Sequence, residues 1–328
     1  MGKVIIETKK LGKQYGKQFA IKNVDFKIEE GMICGLIGPN GAGKTTIMKI
    51  LGGLNIPTEG SVCIYGKNTE KGLAESRKRM SFMIETPYIK SRMSARENLE
   101  KQRLQKGIPN KERVEEVLKL VGLENVEKKL AGNFSLGMKQ RLGIAISLLS
   151  KPEIMVLDEP INGLDPEGIV EIRNLLLKLN KEEHITIIIS SHILSELSLL
   201  CTDYIFINEG TIRQSITAQE LENNCKESFI VHTDNDEKAL AILQEKFENL
   251  DYDVNDDGSL KLFGQLDNIR EISKNLYEGG VIPLELRIQE ANLEEYYMTM
   301  SEMDEPGANA IEPGKTETAG AAQNNTLK

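Results

Sequence analysis

Residues 38–46 read GPNGAGKTT, a match to G-x-x-x-x-G-K-[ST] set between an apolar run, MICGLIG (32–38), and a helical one, TTIMKILGGL (45–54). This order allows few folds. A strand that turns on glycines into a helix N-terminus aims backbone N–H groups and a partial positive charge at one point, which makes an anion site. Gly38, Gly41 and Gly43 keep Cβ atoms out of the way of phosphate oxygens. We take Gly38, Pro39, Asn40, Gly41, Ala42, Gly43, Lys44, Thr45 and Thr46 as the phosphate-binding stretch. Within it Lys44 is placed to reach the β and γ phosphates of a nucleotide, and the Thr45 hydroxyl to ligate Mg²⁺.

The flanking pattern predicts the layered α/β domain that such a loop needs. From residue 4 to about 215, short β-rich runs alternate with helical ones. EIMVLDE (153–159) and ITIIISS (185–191) are continuous apolar runs, as expected of parallel strands covered on both faces. Asp158 and Glu159 close the first of them. In one domain with a phosphate loop, Asp158 can hold the cation directly or through water, and Glu159 can act as general base on the attacking water. The region 92–150 reads as a helical insertion: Ser94 and Glu97 make a capping box, and Val114, Val117, Leu118 and Val121 recur at helical spacing. Just before it, SFMIETPYI (81–89) is a strand that breaks at Glu85, ahead of Thr86 and Pro87.

With 328 residues the chain has room for a second, smaller core. Past about residue 220 the order becomes βαββαβ, the ferredoxin-like arrangement, with a last helix at LEEYYMTM. The predicted division is a nucleotide-binding domain over 1–218 with its helical part at about 86–150, and an accessory α+β domain over 219–303. The remainder, 304–328, is rich in Gly, Ala, Thr, Asn and Pro and is expected to be disordered. A net charge of −9 argues against a broad nucleic-acid-binding face while permitting a local phosphate pocket. The four cysteines, Cys34, Cys63, Cys201 and Cys225, have no CxxC spacing and read as reduced thiols. No apolar stretch is long enough to cross a bilayer, so work at a membrane requires spans from another polypeptide. NKER (110–113) lacks the Asp of an N-K-x-D guanine reader, which disfavours GTP.

Further motifs make residues 4–215 resemble an ABC transporter nucleotide-binding domain. NFSLGMKQRLGIAISLL (133–149) looks like the family's signature segment, INGLDP (161–166) like its D-loop, and His192 in SSHILSE like its switch histidine. The resemblance implies that Tyr15 in KQYGK stacks on the adenine of ATP and that His192 contacts the γ-phosphate. It also implies that two such domains close head to tail over two ATP molecules. Ser135 and Gly137 would then touch the γ-phosphate held by a second copy, and Asp165 of the D-loop joins the nucleotide-binding residues. The signature departs from the commonest form, LSGGQ: Phe134-Ser135-Leu136-Gly137-Met138 stand there, and Met138 replaces the amide. Glu85 falls where the family usually carries a glutamine that senses Mg²⁺ and the γ-phosphate. The resemblance makes it a variant sensor and Mg²⁺ ligand, with Thr86 to Ser94 lining a groove for a permease helix. Taken singly, these residues have ordinary uses: Tyr15 in packing, Asp165 as a helix cap before Pro166, His192 as a hydrogen-bonded structural side chain. His184 and His232 sit in no motif and keep that structural assignment.

Glu85, FSLGMKQRL and a C-terminal extension are together similar to the bacitracin-resistance and lantibiotic-immunity ATPase subunits of Gram-positive bacteria. The expectation is an ATP- and Mg²⁺-dependent ATPase at the cytoplasmic face of the membrane. It pairs with a second copy of itself, engages transmembrane permease subunits and no nucleic acid, and exports or removes a peptide antibiotic. The rival is a soluble ABC ATPase acting in translation or on DNA; such factors usually carry two ABC cores and basic surfaces, unlike this acidic, single-core chain.

Overall fold

The computed structural model describes residues 2–84, 88–126, 129–224, 228–247, 250–255, 257–264, 269–289, 293, 294, 296 and 297. Glu85, Cys225, the tail 304–328 and part of the LEEYYMTM helix lie outside the described residues.

The chain begins with β1 (Val4–Tyr15), β2 (Gln18–Val24), β3 (Lys27–Glu29) and β4 (Ile33–Ile37), then the phosphate loop and α1 (Lys44–Leu51). Next come β5 (Glu59–Ile64), α2 (Glu70–Arg77) and β6 (Met80–Met83), followed by three helices, α3 (Ala95–Gln105), α4 (Arg113–Leu120) and α5 (Leu136–Leu148). The first body is completed by β7 (Ile154–Asp158), α6 (Pro166–Glu183), β8 (Thr186–Ser190), α7 (Leu194–Ser198), β9 (Asp203–Asn208), β10 (Thr211–Thr217) and α8 (Ala218–Asn224).

Six strands form the central sheet in the order β10-β9-β4-β8-β7-β6, parallel except for the antiparallel β10 at the edge. β4, β7 and β8 are buried at every residue because alternate side chains feed two cores. Met155, Leu157, Ile187 and Ile189 pack with Leu142 and Ile144 of α5 and Ile172 and Leu176 of α6. Ile154, Val156 and Ile188 pack instead with Ile47 and Met48 of α1 and with Ile6, Leu11 and Ile21. Burial on both faces is why these runs are apolar without alternation. The second group of residues belongs to an antiparallel sheet in which β1 pairs with β2, β3 and β5. The sequence reading saw only β-rich runs there. Its pairings, such as Ile6 opposite Ile64, join segments far apart in the chain.

The helical insertion is anchored at its start. Ser94 Oγ accepts from the Glu97 N–H at 3.2 Å while Glu97 Oε2 accepts from the Ser94 N–H at 2.7 Å. Buried Asn98 bonds to the main chain of Lys90, Met93 and Ser94, and so holds the loop that leads into α3. Val114, Val117, Leu118 and Val121 join the core shared with α5 and α6.

The second body runs β11 (Ser228–Thr233), α9 (Asp236–Lys246), β12 (Asp251–Val254), β13 (Leu260–Phe263), α10 (Ile269–Glu278) and β14 (Pro283–Gln289). Its sheet order, β12-β13-β11-β14 with all neighbours antiparallel, is ferredoxin-like. The two helices cover one face, where Phe229, Val231, Leu260 and Leu262 pack with Ala239, Leu243, Ile272 and Leu276. The chain then returns to the first body. Leu293 is buried in that body's core, the Tyr297 ring stacks on Phe206 of β9 at 6.2 Å, and the Tyr296 hydroxyl donates to Gln214 Oε1 at 2.8 Å. Among the described residues, Cys34, Cys63 and Cys201 are free thiols, and no helix is long and apolar enough to cross a membrane.

Candidate functional site

Three strand ends build the site. β4 runs into the phosphate loop, β7 ends at Asp158, and Ser190 of β8 lies opposite Asp158 in the parallel register. All three are carboxyl ends of parallel strands, the edge at which α/β sheets receive ligands. Gly38 lies so close to β9 that a Cβ there would stand 2.1 Å from the Ile207 carbonyl oxygen. Gly43, at φ +110°, would place one 2.4 Å from Ile21 Cγ2. The two glycines therefore set the position of the loop as well as its shape. Gly210 ties it to the β9–β10 turn and to β2, donating to Ala42 O at 3.0 Å and accepting from the Lys22 N–H at 2.8 Å.

Lys44 is buried, and its Nζ donates to the carbonyls of Gly38 and Pro39 at 2.6 and 3.1 Å. Burial lowers its pKa, opposed by the carboxylates of Glu159 and Asp158. Both oxygens of Asp158 are oriented: Thr45 Oγ1 donates to Oδ2 at 2.8 Å and Ser190 Oγ to Oδ1 at 2.6 Å. Glu159 adopts φ +50°, a left-handed backbone uncommon outside glycine. Its N–H, directed to Ser190 O at 3.2 Å and Ser190 Oγ at 3.0 Å, holds that turn. The Glu159 carboxylate lies with Oε2 2.8 Å from His192 Nδ1.

Asn40, Gly41, Gly43, Lys44, Thr45, Thr46, Asp158 and Glu159 line one cavity of about 300 Å³. A larger cavity, about 780 Å³, lies at the opposite ends of β7 and β8, where Glu153, Thr186, Arg113 and His184 are among its lining residues. It has no phosphate loop, so the chemistry belongs to the smaller one. Thr45 and Asp158 offer oxygen donors only, which suits a hard cation that keeps several of its waters. Among the described residues no group of three or more His, Cys, Asp or Glu is arranged to hold a metal.

The remaining sequence candidates lie elsewhere. Tyr15 ends β1 half exposed, its hydroxyl accepting from Asn55 Nδ2 at 2.7 Å and its ring 5.2 Å from Lys13 Nζ. Ser135 caps α5, accepting from the Met138 N–H at 3.2 Å, and Asp165 caps α6 ahead of Pro166, accepting from the Gly168 N–H at 3.3 Å. A Cβ on Gly137 would lie 3.9 Å from Gly168 Cα, which places the signature helix beside the start of α6. Tyr15, Ser135, Gly137, Asp165 and His192 are not among the residues lining the cavity. His184 ends α6 in a left-handed conformation, and His232 Nδ1 meets Asp236 Oδ2 at 2.9 Å. Sequence reasoning did not single out Ser190, which binds the Asp158 carboxylate and the Glu159 main chain. Its only signal was the pair of serines closing ITIIISS.

A phosphate loop after β4, an Asp-Glu pair closing β7 and a helical insertion between β6 and β7 define a P-loop ATPase of the cassette type. The chain belongs to the ABC transporter family, whose model matches residues 21–162. It is 40% identical to a bacitracin transport ATP-binding protein of Bacillus licheniformis, over 90% of this chain and 97% of the relative. With the corresponding protein of Enterococcus faecalis the identity is 36%, over 89% and 95%. A lantibiotic transport ATP-binding protein of Streptococcus pyogenes is 43% identical over 63% of this chain and 89% of its own length. Among solved structures, cbiO1 of Clostridium perfringens, part of an ABC transporter complex, superposes with a TM-score of 0.62 at 29% identity, covering 67% of this chain and 90% of that one. A dimeric bacterial ABC transporter cassette gives 0.59 at 29% identity, covering 65% and 99%. The protein is an ABC-type ATPase that binds ATP and couples its hydrolysis to transport.

Proposed function

We propose that this chain powers a separate membrane permease from the cytoplasmic face, and that the pair exports or clears a peptide antibiotic of the bacitracin or lantibiotic kind. The likeness to bacitracin transport ATP-binding proteins supports the substrate class, because it runs over 90% of the chain and so extends past the nucleotide domain into the second body. We keep the division into 1–218, 219–303 and a tail from 304 as part of this reading.

The observation that carries the mechanism is the array at the ends of β7 and β8, in which Ser190 binds the Asp158 carboxylate and the Glu159 main-chain N–H. Lys44 binds the β and γ phosphates, and Gly38 to Thr46 supply backbone N–H groups. Thr45 and Asp158 would hold Mg²⁺, with Glu85 as a further ligand and sensor. The cation would neutralise charge on the phosphates. Glu159 takes a proton from the attacking water, and His192, 2.8 Å from that carboxylate, orients it toward the γ-phosphate. Tyr15 stacks on adenine. Ser135, Gly137 and Asp165 do not line their own chain's cavity, in keeping with service to the nucleotide of a second copy in a head-to-tail pair.

Glu159→Gln tests the reading. The variant should bind ATP, lose hydrolysis by about 100-fold or more, accumulate as a closed dimer, and bring a polytopic permease with it from detergent-solubilised membranes in Mg-ATP. Retained turnover removes Glu159 as the base. Recovery of ribosomes or DNA in place of a permease moves the function to a soluble ATPase.

A further inference from the structure

β14, with the sequence PLELRIQ (283–289), is an edge strand of the second body, flanked by β11 on one side and by no strand on the other among the described residues. Its surroundings are apolar and open: Tyr277, Ile282, Leu284 and Ile288 are 79%, 62%, 63% and 52% exposed. Such an edge invites pairing, and chains that resist it carry like charges, prolines or a bulge along the strand. Pro283 stands only at its first position, where the lost N–H costs one end of a ladder, and the one break in register with β11 falls beside it, at Leu284 between the Thr233–Pro283 and His232–Glu285 pairs, so that the strand is regular from Glu285 onward. The two charges on the strand have opposite signs. Glu285 Oε1 and Arg287 Nε sit 2.7 Å apart on one face.

The segment is self-complementary. With a second β14 laid antiparallel and Leu286 opposite Leu286, Glu285 faces Arg287 once on each side of the two-fold axis. Alternation over the regular stretch puts Leu286 and Ile288, opposite Val231 and Phe229, on the face beneath the helices, and the ion pairs on the other. A slip of one pairing step in either direction sets Glu285 against its own copy or Arg287 against its own copy. The charges therefore disfavour both neighbouring registers.

We infer that β14 is a homodimerisation strand, through which a second copy of this chain joins edge to edge and merges two four-stranded sheets into one. This pairing needs no nucleotide and stands apart from the antibiotic-transport reading.

Sedimentation velocity of the full-length chain without nucleotide tests it. The wild type should dimerise at about 50 µM or below. Glu285→Arg and Arg287→Glu should each weaken association about tenfold or more, since each places like charges opposite one another twice. The double variant E285R/R287E should recover the wild-type affinity. A monomeric wild type, single variants that dimerise unchanged, or a double variant as weak as the singles would overturn the inference. ATP-dependent closure of Glu159→Gln is read separately, so the two proposals fail independently.

Discussion

Asp158 is held at both carboxylate oxygens, by Thr45 and by Ser190, and the hydroxyl of Ser190 also receives the Glu159 N–H. One side chain therefore fixes the Asp158 carboxylate and the main chain of Glu159, two residues with different proposed tasks. Ser190→Ala should weaken apparent Mg²⁺ affinity and ATP turnover by about 10–100-fold, as removal of a ligand's orienting partner commonly does, and Mg²⁺ titration of steady-state hydrolysis measures both. A parent-like Mg²⁺ response would show that Thr45 suffices to orient Asp158. Gly38 allows a sharper test of geometry. Its Cβ would meet the Ile207 carbonyl at 2.1 Å, backbone that cannot swing aside, so Gly38→Ala should destabilise the first body by about 1–3 kcal/mol. Thermal unfolding measures this, and loss of ATP binding should accompany it.

At the scale of elements, the capping box at α3 was legible because it depends on two residues three apart. Ser94→Ala removes one of its two bonds and should cost about 1 kcal/mol, read as a lower midpoint in thermal unfolding. The buried strands were legible for a similar reason: Met155 and Leu157 enter one core while Ile154 and Val156 enter the other, so the whole run must be apolar. The antiparallel sheet of β1, β2, β3 and β5 was not. Its strands show mixed burial, and the pairing that defines the sheet lies between residues with no sequence signal for one another. Glu85, the expected variant sensor, lies outside the described residues.

Across the whole molecule, the second body is tethered at both ends. Leu221 of α8 is buried in the first body's core where the chain leaves, and Leu293 is buried there where it returns. Tyr297 stacks on Phe206, and the next residue along β9, Ile207, backs Gly38 of the phosphate loop. Tyr297→Ala should therefore cost the first body about 1–2 kcal/mol, less than truncation of a fully buried aromatic because the ring is only partly buried, and weaken ATP binding as β9 loosens. Calorimetry and nucleotide titration check the two effects. Unchanged ATP affinity alongside lower stability would separate the tether from the loop.

The sequence alone determined the phosphate loop, the acids that close β7, the helical insertion and the βαββαβ order of the second body. Each rests on the chemistry or periodicity of neighbouring residues, so a local stretch carries the whole signal. Only the tertiary structure decided that Ser190 stands beside Asp158, that Ile207 backs Gly38, that Ser135 and Asp165 do not line their own chain's cavity, and that the C-terminal tyrosines return to β9. Those neighbours are chosen by strand register and by the burial of apolar surface between distant segments, and neither leaves a mark on the residues adjacent in the chain.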